Sequence, residues 1–104
     1  MQRIQLEVYQ TDAEAFEATA ELAAEQLRAA AVRGRADVAL AGGRGGRGVM
    51  LALAARGDLP WDRIEWWLGD ERCVAPTDPL SNFRLARESL FVPRGVAAAR
   101  IHPP

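Results

Sequence analysis

Apolar and polar residues alternate at the start of the chain. Ile4, Leu6 and Val8 fall between Gln5, Glu7 and Tyr9, which predicts a short strand, Arg3 to Tyr9, with one apolar face. The period then lengthens: Phe16, Ala20, Ala23, Leu27 and Ala30 recur at helical spacing, behind Thr11 or Asp12 as N-cap and ahead of Gly34 as a stop. The opposite face of that helix carries Glu14, Glu17, Glu21, Glu25 and Arg28, a solvated face with weak i,i+4 pairing. Ala36 to Ala41 is a compact apolar run, a second strand, and it enters a flexible turn through Gly42, Gly43, Gly45, Gly46 and Gly48. Helical composition resumes from Val49 to Arg56 and is broken by Gly57, Asp58, Leu59 and Pro60. Ile64 to Leu68 suits a strand buried on both faces, with Trp66 and Trp67 on opposite sides and Trp61 over the sheet edge. A polar, turn-rich stretch from Gly69 to Ser81 leads to a helix from Asn82 to Leu90, and the tail from Phe91 is broken by Pro93, Gly95, Pro103 and Pro104.

Strands that alternate with helices predict an α/β fold: an open, mostly parallel sheet with helices on both faces, Rossmann-like, whose ligand sites lie beyond the carboxyl ends of the strands. A chain of 104 residues fits one small domain of modest buried surface. Hydrophobic residues at 49% and charged residues at 26% are ordinary for a soluble globular protein and exclude disorder, collagen and coiled coil as classes. With 13 basic and 14 acidic residues the net charge is -1, so no global field favours nucleic acid or an anionic membrane, and any anion site must be local. Cys73 is the only cysteine, which excludes an internal disulfide and fits a reducing cytoplasm. Met1 to Tyr9 has neither the signature of a secretory signal nor the length of a membrane span.

Two stretches carry candidate chemistry. Leu40 to Gly48, between a predicted strand and a predicted helix, can offer backbone amides to a phosphate at a helix N-terminus, with Arg44 or Arg47 adding a bidentate contact. It can equally be a plain strand-to-helix turn with two surface arginines. Gly43, Gly45 and Gly48 also satisfy the GxGxxG spacing of a dinucleotide site, but so many glycines produce that pattern easily, and Asp70 lies later than the usual separation of about twenty residues. The second stretch, Gly69 to Asn82, places Asp70, Glu71 and Arg72 at the end of a predicted strand, where they can face a ligand or close the loop by a mutual ion pair.

The order GDERCV, then Pro76, Ser81, Asn82, Ala86 and Leu90, resembles the GDERxVP and SNxxxAxxxL signature of 6-phosphogluconolactonases, and the glycine stretch is similar to that family's SGGSTP segment. Ile101 and His102 look like its next strand. The resemblance implies the fold shared with ribose-5-phosphate isomerase and glucosamine-6-phosphate deaminase, with residues 1–104 as the N-terminal portion of one domain and the C-terminal half absent. It implies hydrolysis of 6-phosphogluconolactone to 6-phosphogluconate in the pentose phosphate pathway, without cofactor or metal. Gly42 and Gly43 match the family's substrate-side glycines, and Asp70 and Arg72 match the acid and the arginine of its pocket. The family's base histidine belongs to a GEDGHTASLFP-like segment that does not occur here, so the resemblance assigns no catalytic residue to this chain and implies that the chain alone is inactive. His102, the single histidine, matches no catalytic position. Where the family has Ser-Thr-Pro this chain has Arg44, Gly45 and Gly46, a change expected to loosen the loop and to set Arg44 either on a phosphate or across the pocket. A deaminase-like sugar-phosphate enzyme, or a non-catalytic remnant that self-associates through an uncovered sheet edge, are the alternatives.

Overall fold

The computed structural model describes residues 11–68, 75, 78 and 81–102. The predicted strand Arg3 to Tyr9 lies outside them, as do Asp70, Glu71, Arg72 and Cys73.

Helix α1, Asp12–Val32, starts where the sequence predicts: Thr11 takes an extended conformation and its side chain accepts from Glu14 N at 3.2 Å. Gly34, at φ +131, ends the run in a conformation that side-chain-bearing residues avoid. Strand β1, Ala36–Leu40, is followed at once by α2, Gly43–Ala54. The glycine cluster, expected to be a flexible turn ahead of a helix at Val49, therefore forms the first two turns of α2. Glycine costs about 1 kcal/mol per residue in a helix interior, and that penalty yields to packing. A Cβ on Gly48 would stand 2.2 Å from the Phe16 ring, so the glycine is what lets α2 approach α1 this closely.

A short 3₁₀ turn, Trp61–Arg63, leads into β2, Ile64–Leu68. Helix α3, Asn82–Ala86, a π-helical segment, Arg87–Phe91, and α4, Val92–Arg94, run on without a break. Pro93, expected to break the chain after Leu90, lies inside this last piece. Proline lacks the N–H that would bond back into the helix and crowds the carbonyl four residues earlier, and that carbonyl, of Ser89, belongs to the π-helical segment where the regular ladder is already interrupted. The stop is Gly95, at φ +60, with Gly95 N bonded to Val92 O at 3.1 Å and Val96 N to Phe91 O at 2.9 Å, the paired bonds of a Schellman ending. Strand β3, Ile101–His102, follows a second 3₁₀ turn, Ala98–Arg100.

The described strands form one parallel sheet in the order β1-β2-β3. Ala36 pairs with Ile64 and Leu40 with Leu68, while Ile101 and His102 pair with Trp66 and Trp67. One face of this sheet is buried by helices. Ala36, Ile64, Trp66 and Leu68 join Ala20, Ala24 and Leu27 of α1, Met50 and Leu53 of α2, and Ala86, Leu90 and Phe91 in a single apolar cluster. Trp61 belongs to this face and not to the sheet edge: its ring stacks on Trp66 at 5.8 Å between centroids, its Nε1 donates to Arg56 O, and Arg94 lies over it. Arg94 also donates to Ala54 O at 2.6 Å, tying α4 to the end of α2. The acidic face of α1 pairs outward, with Arg28 on Asp58 at 2.9 Å and Glu17 on Arg56 at 3.5 Å, so these links join elements instead of reinforcing one helix.

The other face of β2 departs from the expectation of a strand buried on both sides. Trp67 is 41% exposed, and Glu65 beside it is charged. Among the described residues no helix is long and apolar enough to cross a membrane.

Candidate functional site

A parallel sheet delivers its connecting loops to one edge. Leu40 and Leu68 are paired at the ends of β1 and β2, so the two strands end side by side and the Gly42-Gly43 turn leaves β1 at that edge. This is the edge at which α/β sheets bind ligands.

The turn is built for close approach. Gly42 is the N-cap of α2 and supplies no side-chain hydrogen bond, so the first amides of a twelve-residue helix are left uncapped by that residue. Gly43 follows at φ +82, a left-handed conformation that any larger side chain would strain. A Cβ on Gly42 would fall 2.0 Å from Asn82 Oδ1. Asn82, the first residue of α3, thus occupies the space that the missing side chain leaves. It is held there by Ser81, a buried N-cap whose hydroxyl accepts from Arg84 N at 3.2 Å. Two stretches singled out separately in the sequence, the glycine loop and the Ser81-Asn82 pair, are in contact.

Arg44 and Arg47 have a different setting from the one considered. Arg44 is ion-paired with Asp12 in the first turn of α1, and both arginines line a groove between α1 and α2 with Ala13, Phe16, Glu17 and Leu51. The Arg44 side chain is 85% exposed, so this is a surface ion pair between the first turns of α1 and α2. Asp70 and Arg72 lie outside the described residues. Among the described residues no group of three or more His, Cys, Asp or Glu side chains is arranged to hold a metal ion.

A second polar arrangement escaped sequence reasoning. On the partly open face of the sheet, Trp67 Nε1 donates to Asp37 Oδ1 at 3.0 Å, and Arg35 Nε donates to Asp37 Oδ2 at 3.3 Å. Arg100 Nη1 donates to Glu65 Oε2 at 2.8 Å, His102 Nε2 lies 3.0 Å from Glu65 Oε1, and the imidazole stacks on Trp67 at 4.0 Å. The Trp67 indole, followed by Arg35, holds the Asp37 carboxyl below its ordinary range, and the bond to His102, aided by Arg100, does the same for Glu65. Period-two alternation along β2 puts Glu65 and Trp67 on one side; only the parallel register brings Asp37 and His102 to them.

Comparison with known proteins places these features in a family. The family model described as glucosamine-6-phosphate isomerases/6-phosphogluconolactonase matches residues 10–104. The chain is 39% identical over 88 residues to 6-phosphogluconolactonase of Streptomyces coelicolor, covering 82% of this chain and 34% of that protein. It is 41% identical over 76 residues to the Synechocystis enzyme of the same name, covering 73% of this chain and 31% of that one. Among solved structures, 6-phosphogluconolactonase from Shewanella baltica superposes with a TM-score of 0.76 at 28% identity, over 92% of this chain and 40% of that one. The Thermotoga maritima enzyme gives a TM-score of 0.68 at 31% identity, over 81% of this chain and 40% of that one. The chain thus spans about a third of the length of the curated relatives it matches.

Proposed function

The chain belongs to the family of glucosamine-6-phosphate isomerases and 6-phosphogluconolactonases, and from that premise we propose that it supplies the N-terminal portion of the substrate pocket of a 6-phosphogluconolactonase. The reaction is hydrolysis of the sugar-phosphate lactone by water attack at its carbonyl, in the pentose phosphate pathway and in the cytoplasm. The base that activates the water, a histidine in the resemblance, would come from a segment beyond these residues. Residues 1–104 would then be one part of a single larger domain.

One observation carries the reading: β1 and β2 end side by side at the carboxyl edge of a parallel sheet, where the glycine turn leaves β1 and Asn82 packs against Gly42, and GDER is the stretch that follows β2 in sequence. Amides of Gly43 and its successors, at the positive end of α2, suit a phosphate or a carbonyl oxygen that gains negative charge. Arg72 would add a planar donor fork to an oxyanion, and Asp70 would orient hydroxyl groups. The arginine at 44 is occupied by Asp12, which favours the backbone and Arg72 over Arg44 as the anion-binding groups and leaves Arg47 as the cationic side chain nearest the turn in sequence. Specificity for the lactone, as opposed to an amino sugar phosphate, is supported by relatives that carry the lactonase name.

The test is Arg72→Lys in a complete protein that contains these residues. Lysine keeps the charge and loses the fork, so KM for 6-phosphogluconolactone should rise while the thermal midpoint stays nearly constant. A lowered midpoint with unchanged KM would make Arg72 a loop-closing ion-pair partner and would remove it from the pocket.

A further inference from the structure

Among the described residues, strand β3 contributes two residues and two paired positions, Trp66 with Ile101 and Trp67 with His102. So short a ladder needs side-chain support to persist in water. On the helix-covered side Ile101 packs at the margin of the apolar cluster. On the other side the support converges on one carboxylate. Glu65 Oε2 accepts from Arg100, the residue before β3, and Glu65 Oε1 lies within hydrogen-bond distance of His102, which is part of β3. Its side chain is only 14% exposed, against 36% for Arg100 and 31% for His102, so these contacts are the more sheltered ones on that face.

We infer that Glu65 is an acid-released clasp for β3: as a carboxylate it holds Arg100 and His102 at once, and one protonation weakens both arms together. The proton comes from solvent and adds to a carboxyl oxygen, which turns an ionic acceptor for two donors into a neutral acid. The surrounding charges are Arg100 and His102 from the β3 side and Asp37 and Arg35 from β1. Asp37 is already engaged by Trp67 and Arg35, so it cannot replace Glu65 as the partner of Arg100 without giving up those bonds.

The sign follows from linkage. Docking lowers the carboxyl pKa of Glu65, first through His102 and then through Arg100, below the free value of about 4.3. The contribution to docking is therefore complete above the free value and is lost as pH falls through the docked one. Release also removes the ring that stacks on Trp67. That residue is followed by Leu68, the end of β2, and then by the GDER segment, so the clasp governs the strand end from which that segment departs. This inference stands apart from the proposed lactonase activity.

The test uses the chain's isoleucines as methyl reporters, since Ile101 lies in β3 and Ile64 is fully buried in β2. In the 104-residue protein, methyl NMR across the acid carboxylate range should show the Ile101 signal move to its free position while Ile64 stays native. Glu65→Gln should lose that transition, and Asp37→Asn should keep it. Should Glu65→Gln fail to fold, the wild-type chain and Asp37→Asn decide alone. Simultaneous movement of Ile101 and Ile64, a wild-type transition surviving in Glu65→Gln, or its disappearance in Asp37→Asn would each overturn the inference.

Discussion

The two faces of β2 are held by different forces. Ile64, Trp66 and Leu68 point into an apolar cluster shared with the helices, and Trp66 is fully buried between Trp61 and Phe91. One residue out of step, Glu65 and Trp67 sit in a chain of ion pairs and hydrogen bonds that runs from Arg35 to Arg100. The first face draws its stability from area removed from water and from dispersion, which involve no titrating group and no charge for salt to screen. The second depends on directional, charged contacts at partly wet positions, where pairing is weak and screened. Adjacent residues on one five-residue strand thus answer to different forces. The indole Nε1 of Trp66 sharpens the contrast, because it is buried without a hydrogen-bond partner among the described residues, whereas that of Trp67 has Asp37. Packing on the apolar face outweighs an unmet donor that typically costs about 1–3 kcal/mol.

The largest expected effect breaks this comparison if it fails. Trp66→Ala should cost about 3–5 kcal/mol, as large-to-small changes in a core do. Trp67→Ala should cost nearer 1 kcal/mol, on the order of one aromatic pair. Denaturant midpoints measure both, and equal losses would mean that the two faces are equally packed. A smaller effect probes the helical layer that covers the apolar face. Gly48→Ala pushes a Cβ into the Phe16 ring and should destabilise by about 1–3 kcal/mol. The same change at Gly45, where a Cβ meets nothing within 4 Å, should stabilise α2 by about 0.5–1 kcal/mol. Opposite signs three residues apart on one helix would show that the glycine cluster serves helix contact at one position and not at the other. The smallest effect belongs to the polar face. Asp37 and Glu65 have carboxyl groups held below their ordinary range, so their stabilisation is present above the unfolded values and fades as pH falls through the folded ones. The double variant Asp37→Asn with Glu65→Gln should flatten the thermal midpoint against pH between neutral and acid, while Trp66→Ala lowers the midpoint at every pH.

Much of the fold was legible. The N-cap at Thr11, the stop at Gly34 and the strands at Ala36 and Ile64 follow from local chemistry and short-range periodicity, and they occur where those signals stand. The start of α2 was not legible, because glycine disfavours helix and its use here is explained by close approach to Phe16 at Gly48, Asn82 at Gly42 and the Ala41 carbonyl at Gly46. The run through Pro93 was hidden for a related reason, since a proline near a helix end looks the same in sequence whether the helix stops before it or includes it. Family signatures marked Gly42, Gly43, Asp70 and Arg72 but gave no warning that Asp12 takes Arg44.

The sequence by itself determined where α1 begins and ends, where β1 and β2 lie, and the family, because caps, periods and short motifs are properties of neighbours in the chain. Tertiary structure alone decided which glycines stand against a neighbour, that Arg44 pairs with Asp12, and that Asp37, Glu65, Trp67 and His102 meet. Those outcomes depend on parallel register and helix crossing, which bring together residues about 28 to 40 positions apart, and no local preference encodes such distances.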